Sequence, residues 1–217
     1  MPVIFDLDGT LIDSAPDIHA AVNRTLAEVG ADPLTFDTVR SFIGNGVSVL
    51  TERVIAARAL PQPHADLLAI ILRHYNADPA TLTVLYPNVR ETLTALAKAG
   101  HALGICTNKP EGPTRAILAA FGMDHLFAAV YGGDSLPVHK PDPAPLLAAM
   151  AALGGGATVY VGDSEVDAET AARAGLSFAI FTEGYRKTPM ADLPHDMAFD
   201  DFALLPGIVA QLMAMHA

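Results

Sequence analysis

The chain has 217 residues, of which 13 are Lys or Arg and 24 are Asp or Glu, so its formal net charge is −11. This acidic balance argues against binding to nucleic acid or to anionic lipid. Hydrophobic residues make up 51% of the chain and charged residues 17%, which is enough apolar material for a buried core and argues against disorder. At roughly 150 residues per domain, the length fits one large domain or one domain carrying a smaller insert.

Cysteine usage and the N-terminal segment predict a cytoplasmic protein. Cys106 is the single cysteine of the sequence, which excludes an internal disulfide and fits a reducing compartment. The N-terminus lacks the basic segment and following apolar run of a secretory signal. Charges, Gly or Pro interrupt every apolar stretch before the roughly 18 residues of a membrane span, so we expect no membrane association.

Taken in chain order, the predicted elements begin with a buried strand that ends at acidic residues. Residues 3–10 open with a short apolar run and stop at Asp and Gly. Four later segments repeat this pattern, at residues 101–106, 129–133, 158–162 and 178–181. Helical patterns separate them, at residues 89–99, 113–121, 143–153 and 165–174. The alternation predicts an α/β fold, a Rossmann-like parallel sheet with helices on both faces.

The stretch between the first two strands does not follow this alternation. Its apolar residues recur at helical spacing, as in Ile18, Val22 and Leu26, and strand-like runs are missing. We interpret residues 14–82 as an inserted all-helical cap domain. Inserted caps commonly open and close over a site.

The remaining residues, 1–13 and 83–217, would then form the α/β core. Two hinges are expected where the chain passes between core and cap, near residues 11–14 and 83–86. Asp13 in the first hinge is interpreted as a hinge or helix-cap residue rather than a ligand. The tail after Pro189 is expected to be a short closing segment.

Polar side chains follow the ends of the predicted strands. They are, in chain order, Asp6, Asp8, Thr107, Asn108, Lys109, His139, Lys140, Asp163, Ser164 and Asp167. Ligands of open parallel sheets collect outside the carboxyl ends of the strands, so these side chains should meet at one rim. Several carboxylates at close range raise one another's pKa and need a cation, and Mg²⁺ prefers oxygen ligands. The pattern therefore favours a magnesium site.

These residues resemble the four ordered motifs of the haloacid dehalogenase-like hydrolases. The segment Asp6-Leu7-Asp8-Gly9-Thr10 is similar to the first motif, Thr107 to the second, Lys140 to the third and residues 162–167 to the fourth. The likeness spans almost the whole chain. An acidic pair alone occurs by chance, whereas four motifs in order at successive strand ends are a specific signal.

The resemblance implies a Mg²⁺-dependent phosphatase that forms an aspartyl-phosphate. Asp6 would be the nucleophile, and Asp8 would protonate the leaving oxygen and then deprotonate the hydrolytic water. The side chains of Asp6 and Asp163 and the backbone carbonyl of Asp8 would hold Mg²⁺. A dehalogenase also uses an aspartate nucleophile, but halide leaves without a proton, so Asp8 favours phosphate esters.

The same resemblance implies how the phosphoryl group is held. Thr107 and the backbone N–H of Asn108 would bind phosphoryl oxygens, and Lys140 would neutralise charge on the nucleophile and on the transferred group. Asp167, one helical turn after Asp163, is expected to orient metal-bound waters or Lys140, with Ser164 in the same supporting layer.

Selection of the substrate is expected to come from the cap. Residues 42–47, followed by Leu50-Thr51-Glu52-Arg53, resemble the cap of bacterial phosphoglycolate phosphatases, which implies 2-phosphoglycolate as substrate. Gly44 and Gly46, on either side of Asn45, would let the backbone approach a carboxylate at the start of the next helix. Arg53 would either clamp that carboxylate or be a structural or solvated arginine.

Other functions stay open at this point. A β-phosphoglucomutase-like enzyme resembles the chain in core and cap but carries a cap His where this sequence has Ile18; His19 is one position off, about 100° around a helix. A broad-specificity sugar phosphatase is a further alternative. A non-catalytic phosphate-ligand sensor finds no support in intact motifs.

The expected partner is a small phosphate ester, and the protein could be a monomer or a homodimer. Cys106 is interpreted as a small buried hydrophobic residue, despite its place beside Thr107. His139 is expected at the surface.

Overall fold

The computed structural model describes residues 1–77 and 80–215. Its strands are β1 (Pro2–Phe5), β2 (Ile12–Asp13), β3 (Val84–Leu85), β4 (Ala102–Cys106), β5 (Phe127–Tyr131), β6 (Val159–Gly162), β7 (Ser177–Phe181) and β8 (Met197–Phe199). Six of them form one sheet in the order β5-β4-β1-β6-β7-β8. All of its neighbouring strands run parallel.

Helices cover this sheet and fill the stretch between β2 and β3. They are α1 (Ala15–Glu28), α2 (Phe36–Arg40), α3 (Gly46–Arg58), α4 (His64–Ala77), α5 (Val89–Lys98), α6 (Glu111–Ala120), α7 (Ala144–Ala152), α8 (Glu165–Ala174) and α9 (Leu205–Ala214). Among these described helices, none is both long and apolar enough to cross a membrane.

Alternate residues of the central strand β1 pack on opposite faces of the sheet. Val3 and Phe5 lie in a buried cluster with residues of α5 and α9, whereas Ile4 lies in a second cluster with residues of α7 and α8. Burying a side chain of this size contributes about 1.5–3 kcal/mol. The predicted α/β fold, a parallel sheet with helices on both faces, is therefore confirmed.

The interpretation of the tail as a short closing segment was wrong. Residues 197–199 form the edge strand β8, which pairs with β7, and α9 buries Leu205, Val209 and Leu212 against the sheet. A strand of three residues is too short to show alternation. The buried residues of α9 are Leu205, Ile208, Val209, Leu212 and Met213, which follow the period of an amphipathic helix that sequence reasoning overlooked.

The helical stretch between β2 and β3 has a buried cluster of its own, to which α1, α3 and α4 contribute Val22, Leu26, Val54, Leu67 and Ile71. Strands β2 and β3 pair antiparallel, so the two predicted hinge segments lie side by side where the chain enters and leaves this stretch. The division into an α/β core and a cap at residues 14–82 stays a prediction.

Candidate active site

Three neighbouring strands bring the predicted motif residues to one rim of the sheet. Asp6 directly follows β1, Thr107 directly follows β4, and Asp163 directly follows β6. In the register of the sheet, Phe5 pairs with both Ile105 and Val161, so the residues after these strands are neighbours in space. Carboxylate oxygens of Asp6, Asp163 and Asp167 lie within 4.8 Å of one another.

Asp6 is buried beside a buried cation. Its Oδ1 lies 3.0 Å from the Nζ of Lys140, and both residues are nearly inaccessible to solvent. Burial raises the pKa of Asp6 to about 6, against the opposing charge of Lys140. The carboxylate is thus held ionised near neutral pH with its charge poorly solvated, which suits a nucleophile.

Lys140 is positioned by two further groups besides Asp6. Its Nζ donates to Asp167 Oδ1 at 2.6 Å and to the Tyr160 hydroxyl at 2.9 Å. Burial would lower the pKa of Lys140, but the charges of Asp167 and Asp6 hold it above its usual range. Lys140 is therefore a fixed positive charge at the predicted phosphoryl site.

The side chain of Asp167 is committed to the protein. Besides Lys140, its Oδ1 accepts from the Tyr160 hydroxyl at 2.7 Å, and its Oδ2 accepts from the N–H of Ser164 at 3.1 Å and from Ser164 Oγ at 2.6 Å. Of the two predicted partners of Asp167, the structure shows the contact with Lys140. The hydrogen bonds between Ser164 and Asp167 also cap the start of α8.

Both carboxylate oxygens of Asp163 accept a hydrogen bond from the protein. Its Oδ1 accepts from Thr10 Oγ1 at 2.8 Å, and its Oδ2 accepts from the N–H of Tyr185 at 2.6 Å. Burial, together with the charges of Asp167 and Asp6, raises the pKa of Asp163 well above its usual value. Because a divalent cation would relieve this repulsion, the donor set fits Mg²⁺. Asp6 and Asp163 are the side chains best suited to hold it.

The turn after β1 needs glycine at position 9. Gly9 has φ +90°, in the region that side chains disfavour, and a Cβ there would lie 2.6 Å from Asp163 Oδ2. The absent side chain lets the turn bearing Asp8 approach Asp163 closely.

Asp8 lies at the mouth of the same rim and has two partners. Lys109 Nζ is 3.1 Å and 3.2 Å from its two carboxylate oxygens, and Ser14 Oγ donates to Oδ1 at 2.5 Å. Burial would lower the pKa of Lys109, but the charge of Asp8 raises it above its usual range. The predicted acid and base, Asp8, therefore sits in a partly buried ion pair next to the first hinge segment.

The loop at residues 44–46 closes over this rim. Asn108 Nδ2 donates both to Gly44 O at 3.2 Å and to Lys140 O at 3.0 Å. Gly46 has φ +84°, and a Cβ on it would lie 3.2 Å from Asn108 O. Between this loop and the rim is a cavity lined by Asp6, Asp8, Ile18, Ala21, Ile43, Gly44, Gly46, Val47, Leu50, Ile71, Leu72, Tyr75, Thr107, Asn108, Lys109, Pro110 and Pro113. Asp6 and Thr107 thus share a cavity with the predicted cap loop.

Arg53 hydrogen-bonds to the loop and is not among the residues that line the cavity. Its Nη1 donates to Phe42 O at 2.8 Å, and its Nη2 donates to Asn45 Oδ1 at 2.9 Å. Of the two alternatives for Arg53, the structure shows the structural contact, and a clamp on the substrate's carboxylate stays a prediction. The guanidinium thus braces the loop, with one hydrogen bond from each terminal nitrogen.

Position 18, which separates the mutase alternative from the others, faces the cavity. Ile18 lines the cavity, whereas Nε2 of His19 lies 3.0 Å from Leu34 O and 2.9 Å from Asn23 Nδ2. A one-residue shift on a helix thus turns the histidine away from the substrate space.

Three residues considered in the sequence occupy the places expected of them. Asp13 Oδ1 lies 3.3 Å from the N–H of Ala15, at the start of α1. Cys106 is fully buried, and burial raises the pKa of its thiol to about 12. His139 is exposed.

Sequence reasoning missed three tyrosines and Ser14. Tyr75 lines the cavity from α4, Tyr160 binds Lys140, and the Tyr185 hydroxyl accepts from the N–H groups of Ser14 and Ala15 while donating to Asp13. The three tyrosines lie far along the chain from Lys109, Lys140 and Asp13, their respective neighbours, so no local signal marks them.

Comparison with known proteins gives a consistent picture. The family model of the haloacid dehalogenase-like hydrolases matches residues 3–181. A phosphoglycolate phosphatase of Cereibacter sphaeroides is 54% identical over 215 residues, which cover 98% of this chain and 99% of that protein. One from Rhodobacter capsulatus is 46% identical, covering 95% of each. A crystal structure of a predicted phosphoglycolate phosphatase from Haemophilus somnus superimposes with a TM-score of 0.89 at 37% identity, covering 95% of this chain and 96% of that one.

Proposed function

Since this chain belongs to the haloacid dehalogenase-like hydrolases and is a phosphatase, we propose that it hydrolyses 2-phosphoglycolate to glycolate and phosphate. The observation that carries the chemistry is the buried pairing of Asp6 with Lys140, with Asp163 close by. Asp6 also lines the cavity that the 44–46 loop covers. The substrate is supported by the phosphoglycolate phosphatases that match over nearly the whole chain.

In the first step, a carboxylate oxygen of Asp6 attacks phosphorus and the ester P–O bond breaks, which leaves an aspartyl-phosphate. Asp8 gives its proton to the departing glycolate oxygen. In the second step, Asp8 takes a proton from a water molecule whose oxygen attacks phosphorus. The bond between Asp6 and phosphorus then breaks, phosphate leaves, and the Asp6 carboxylate is restored. Lys140 balances the negative charge of Asp6 and of the transferred group.

Mg²⁺ is the proposed cofactor. The side chains of Asp6 and Asp163 and the backbone carbonyl of Asp8 would hold it. When bound, it would supply positive charge to the phosphoryl oxygens and to the crowded carboxylates. We place Thr107 and the backbone N–H of Asn108 on the phosphoryl oxygens, because both residues line the cavity beside Asp6. A cytoplasmic location is part of this proposal.

The mutase alternative is disfavoured by the cavity wall. Ile18 supplies an alkyl group there and cannot exchange a proton, while His19 points toward Leu34. A hydrolase, in which water accepts the phosphoryl group, needs no such residue on the wall.

Comparing kcat/KM over a substrate panel tests the proposed substrate. The panel contains 2-phosphoglycolate, β-glucose 1-phosphate, hexose 6-phosphates, pyrophosphate and 2-chloropropionate, each with Mg²⁺ and with EDTA. We expect the highest value for 2-phosphoglycolate, and only with Mg²⁺. A hexose phosphate as the best substrate would contradict the substrate assignment, and an undiminished rate in EDTA would contradict the cofactor.

Replacing Asp8 with Asn should slow esters with poor leaving groups far more than aryl phosphates. The amide cannot protonate a departing alkoxide, a role worth about 10²–10⁴-fold, whereas an aryl oxide leaves without that help. The measurement is the single-turnover rate constant for release of the alcohol from 2-phosphoglycolate and from 4-nitrophenyl phosphate, which isolates the first step. Ser14→Ala is a matched control, since it removes a contact of Asp8 but keeps the acid. Equal losses on both esters in Asp8→Asn would refute the role of Asp8.

Without a metal ion, the folded protein should lose stability as the pH rises from about 4 to about 6.5. The pKa of Asp6 is about 6 when folded against an ordinary 3.8, so the folded state prefers the protonated form. This contribution to the free energy of unfolding is complete below the unfolded pKa of 3.8 and is lost as the pH rises through the folded pKa of about 6. The loss amounts to about 3 kcal/mol. Asp163, shifted in the same direction, adds to the loss.

Urea unfolding in EDTA across this pH range measures the effect. Asp6→Asn serves as the reference, because it lacks the titrating group and should show a shallower fall. Adding Mg²⁺ at pH 7 should raise the stability of the wild type more than that of Asp6→Asn. Parallel pH curves for the two proteins would show that Asp6 is not the titrating group.

A further inference from the structure

We propose that Tyr75 and Lys109 together bind the carboxylate of the substrate's leaving group. This inference rests on the proposed function, and it names the residues that distinguish glycolate from other leaving groups.

Tyr75 lines the cavity and carries a buried hydroxyl that has no hydrogen-bond partner among the residues described. The residue is 7% exposed, and Lys109 is the polar side chain beside its ring. A buried hydroxyl left unpaired destabilises the folded protein, so such groups ordinarily serve a ligand or water. Burial raises the pKa of Tyr75 above its usual value, which keeps the hydroxyl protonated and able to donate to an anion.

Lys109 places a positive charge beside the same tyrosine. Its Nζ lies 4.4 Å from the centre of the Tyr75 ring, and the residue is 7% exposed. An ammonium group has three N–H donors, and the two oxygens of Asp8 use at most two of them here. Asp8 therefore leaves one N–H of Lys109 free, in a residue that lines the cavity beside Tyr75.

The position of this pair fits the chemistry of glycolate. Asp8, the group assigned to protonate the leaving oxygen, is in direct contact with Lys109. In 2-phosphoglycolate a single methylene separates that oxygen from the carboxylate. A substrate whose leaving oxygen faces Asp8 thus brings its carboxylate to the neighbourhood of Lys109 and Tyr75.

The rest of the cavity wall strengthens this selection. The side chains opposite the rim are alkyl groups from α1, α3 and α4, including Ile18, Val47, Leu50, Ile71 and Leu72. A charge contact is stronger beside such groups than in water, because the local dielectric constant is lower. The hydroxyls of a sugar would find few partners on this wall, which disfavours sugar phosphates.

The test compares two substrates that differ in the carboxylate. They are 2-phosphoglycolate and 2-hydroxyethyl phosphate, and the readout is the ratio of their kcat/KM values. Tyr75→Phe removes only a hydroxyl, and we expect the ratio to fall roughly 10-fold or more. Lys109→Gln should lower the ratio further, although its contact with Asp8 will also slow both substrates. Tyr131→Phe, which removes a phenol hydroxyl from β5, is the matched control and should leave the ratio unchanged.

A binding measurement separates recognition from catalysis. In the Asp6→Asn background, which does not turn over, calorimetry with Mg²⁺ gives the Kd of each phosphate ester. Adding Tyr75→Phe should weaken binding of 2-phosphoglycolate roughly 10-fold and leave binding of 2-hydroxyethyl phosphate within about 2-fold. Should Lys109→Gln fail to fold, the Tyr75→Phe results alone decide the matter.

Three results would overturn the inference. If the wild type prefers 2-phosphoglycolate and Tyr75→Phe leaves the ratio unchanged, Tyr75 and Lys109 do not form the carboxylate site. The proposed function would then still stand. A selective loss in Arg53→Ala, with Tyr75→Phe unaffected, would return that role to Arg53. A wild type that treats both substrates alike would instead refute the proposed substrate, and with it this inference.

Discussion

Asp6→Asn is expected to abolish turnover of phosphate esters, with a loss in kcat of at least about 10⁴-fold. The amide of Asn cannot form the acyl-phosphate, so the covalent route is closed. Folding should survive, because the substitution removes one of the charges that crowd Asp163 and Asp167. Steady-state kcat with saturating Mg²⁺, together with the urea unfolding midpoint, measures both effects.

Asp66→Asn is the matched control for this variant. Asp66 is exposed in the first turn of α4, so the same chemical change there should leave kcat near the wild-type value. Near-wild-type turnover by Asp6→Asn would rule out the aspartyl-phosphate mechanism. A variant that is inactive because it is unfolded would be recognised from its unfolding curve.

Lys140→Met is expected to damage both stability and activity. Lys140 is fully buried and contacts Asp6 and Asp167, so its removal leaves two buried carboxylates without a cation. Breaking such a buried network costs about 3–5 kcal/mol. Removing a fixed charge from the transferred group should also lower kcat by about 10²-fold or more. Because the charges of Asp167 and Asp6 hold the pKa of Lys140 above its usual range, the loss should appear across the working pH range.

Denaturant unfolding and kcat, each with Mg²⁺, measure these losses against Lys98→Met. Lys98 is exposed at the end of α5, and its replacement should change stability by no more than about 0.5 kcal/mol. If Lys140→Met does not fold, Lys140→Arg keeps the charge with a different shape, and it should fold yet turn over slowly. A Lys140→Met protein as stable and active as the wild type would show that this ion-pair network is unimportant.

Much of the rim could be predicted from the sequence because its chemistry is local. Asp6, Thr107 and Asp163 each follow an apolar strand directly, and the carboxyl end of a parallel strand is where ligands bind. Helix α8 could also be predicted from the sequence, because Ser164 and Asp167 lie at its start and Gly175 at its end. These predictions depend only on residues close together in the chain, which the sequence gives directly.

The order of the strands, by contrast, is a property of the packed molecule. In the chain β1 is followed by β2 and β3, yet in the sheet it lies between β4 and β6. That order alone places Asp6 between Thr107 and Asp163. Hydrophobic periodicity identifies strands but carries no information on which strands become neighbours.

Sequence by itself determined the α/β class, the residues of the four motifs and their order at successive strand ends. Tertiary structure alone decided that Arg53 braces the loop at Asn45 and that Tyr75 and Lys109 meet in the cavity. The physical reason is that a side chain's partner depends on packing between elements distant in the chain. Tyr75 on α4 looks like one more core residue, and only its unpaired hydroxyl beside a buried ammonium sets it apart.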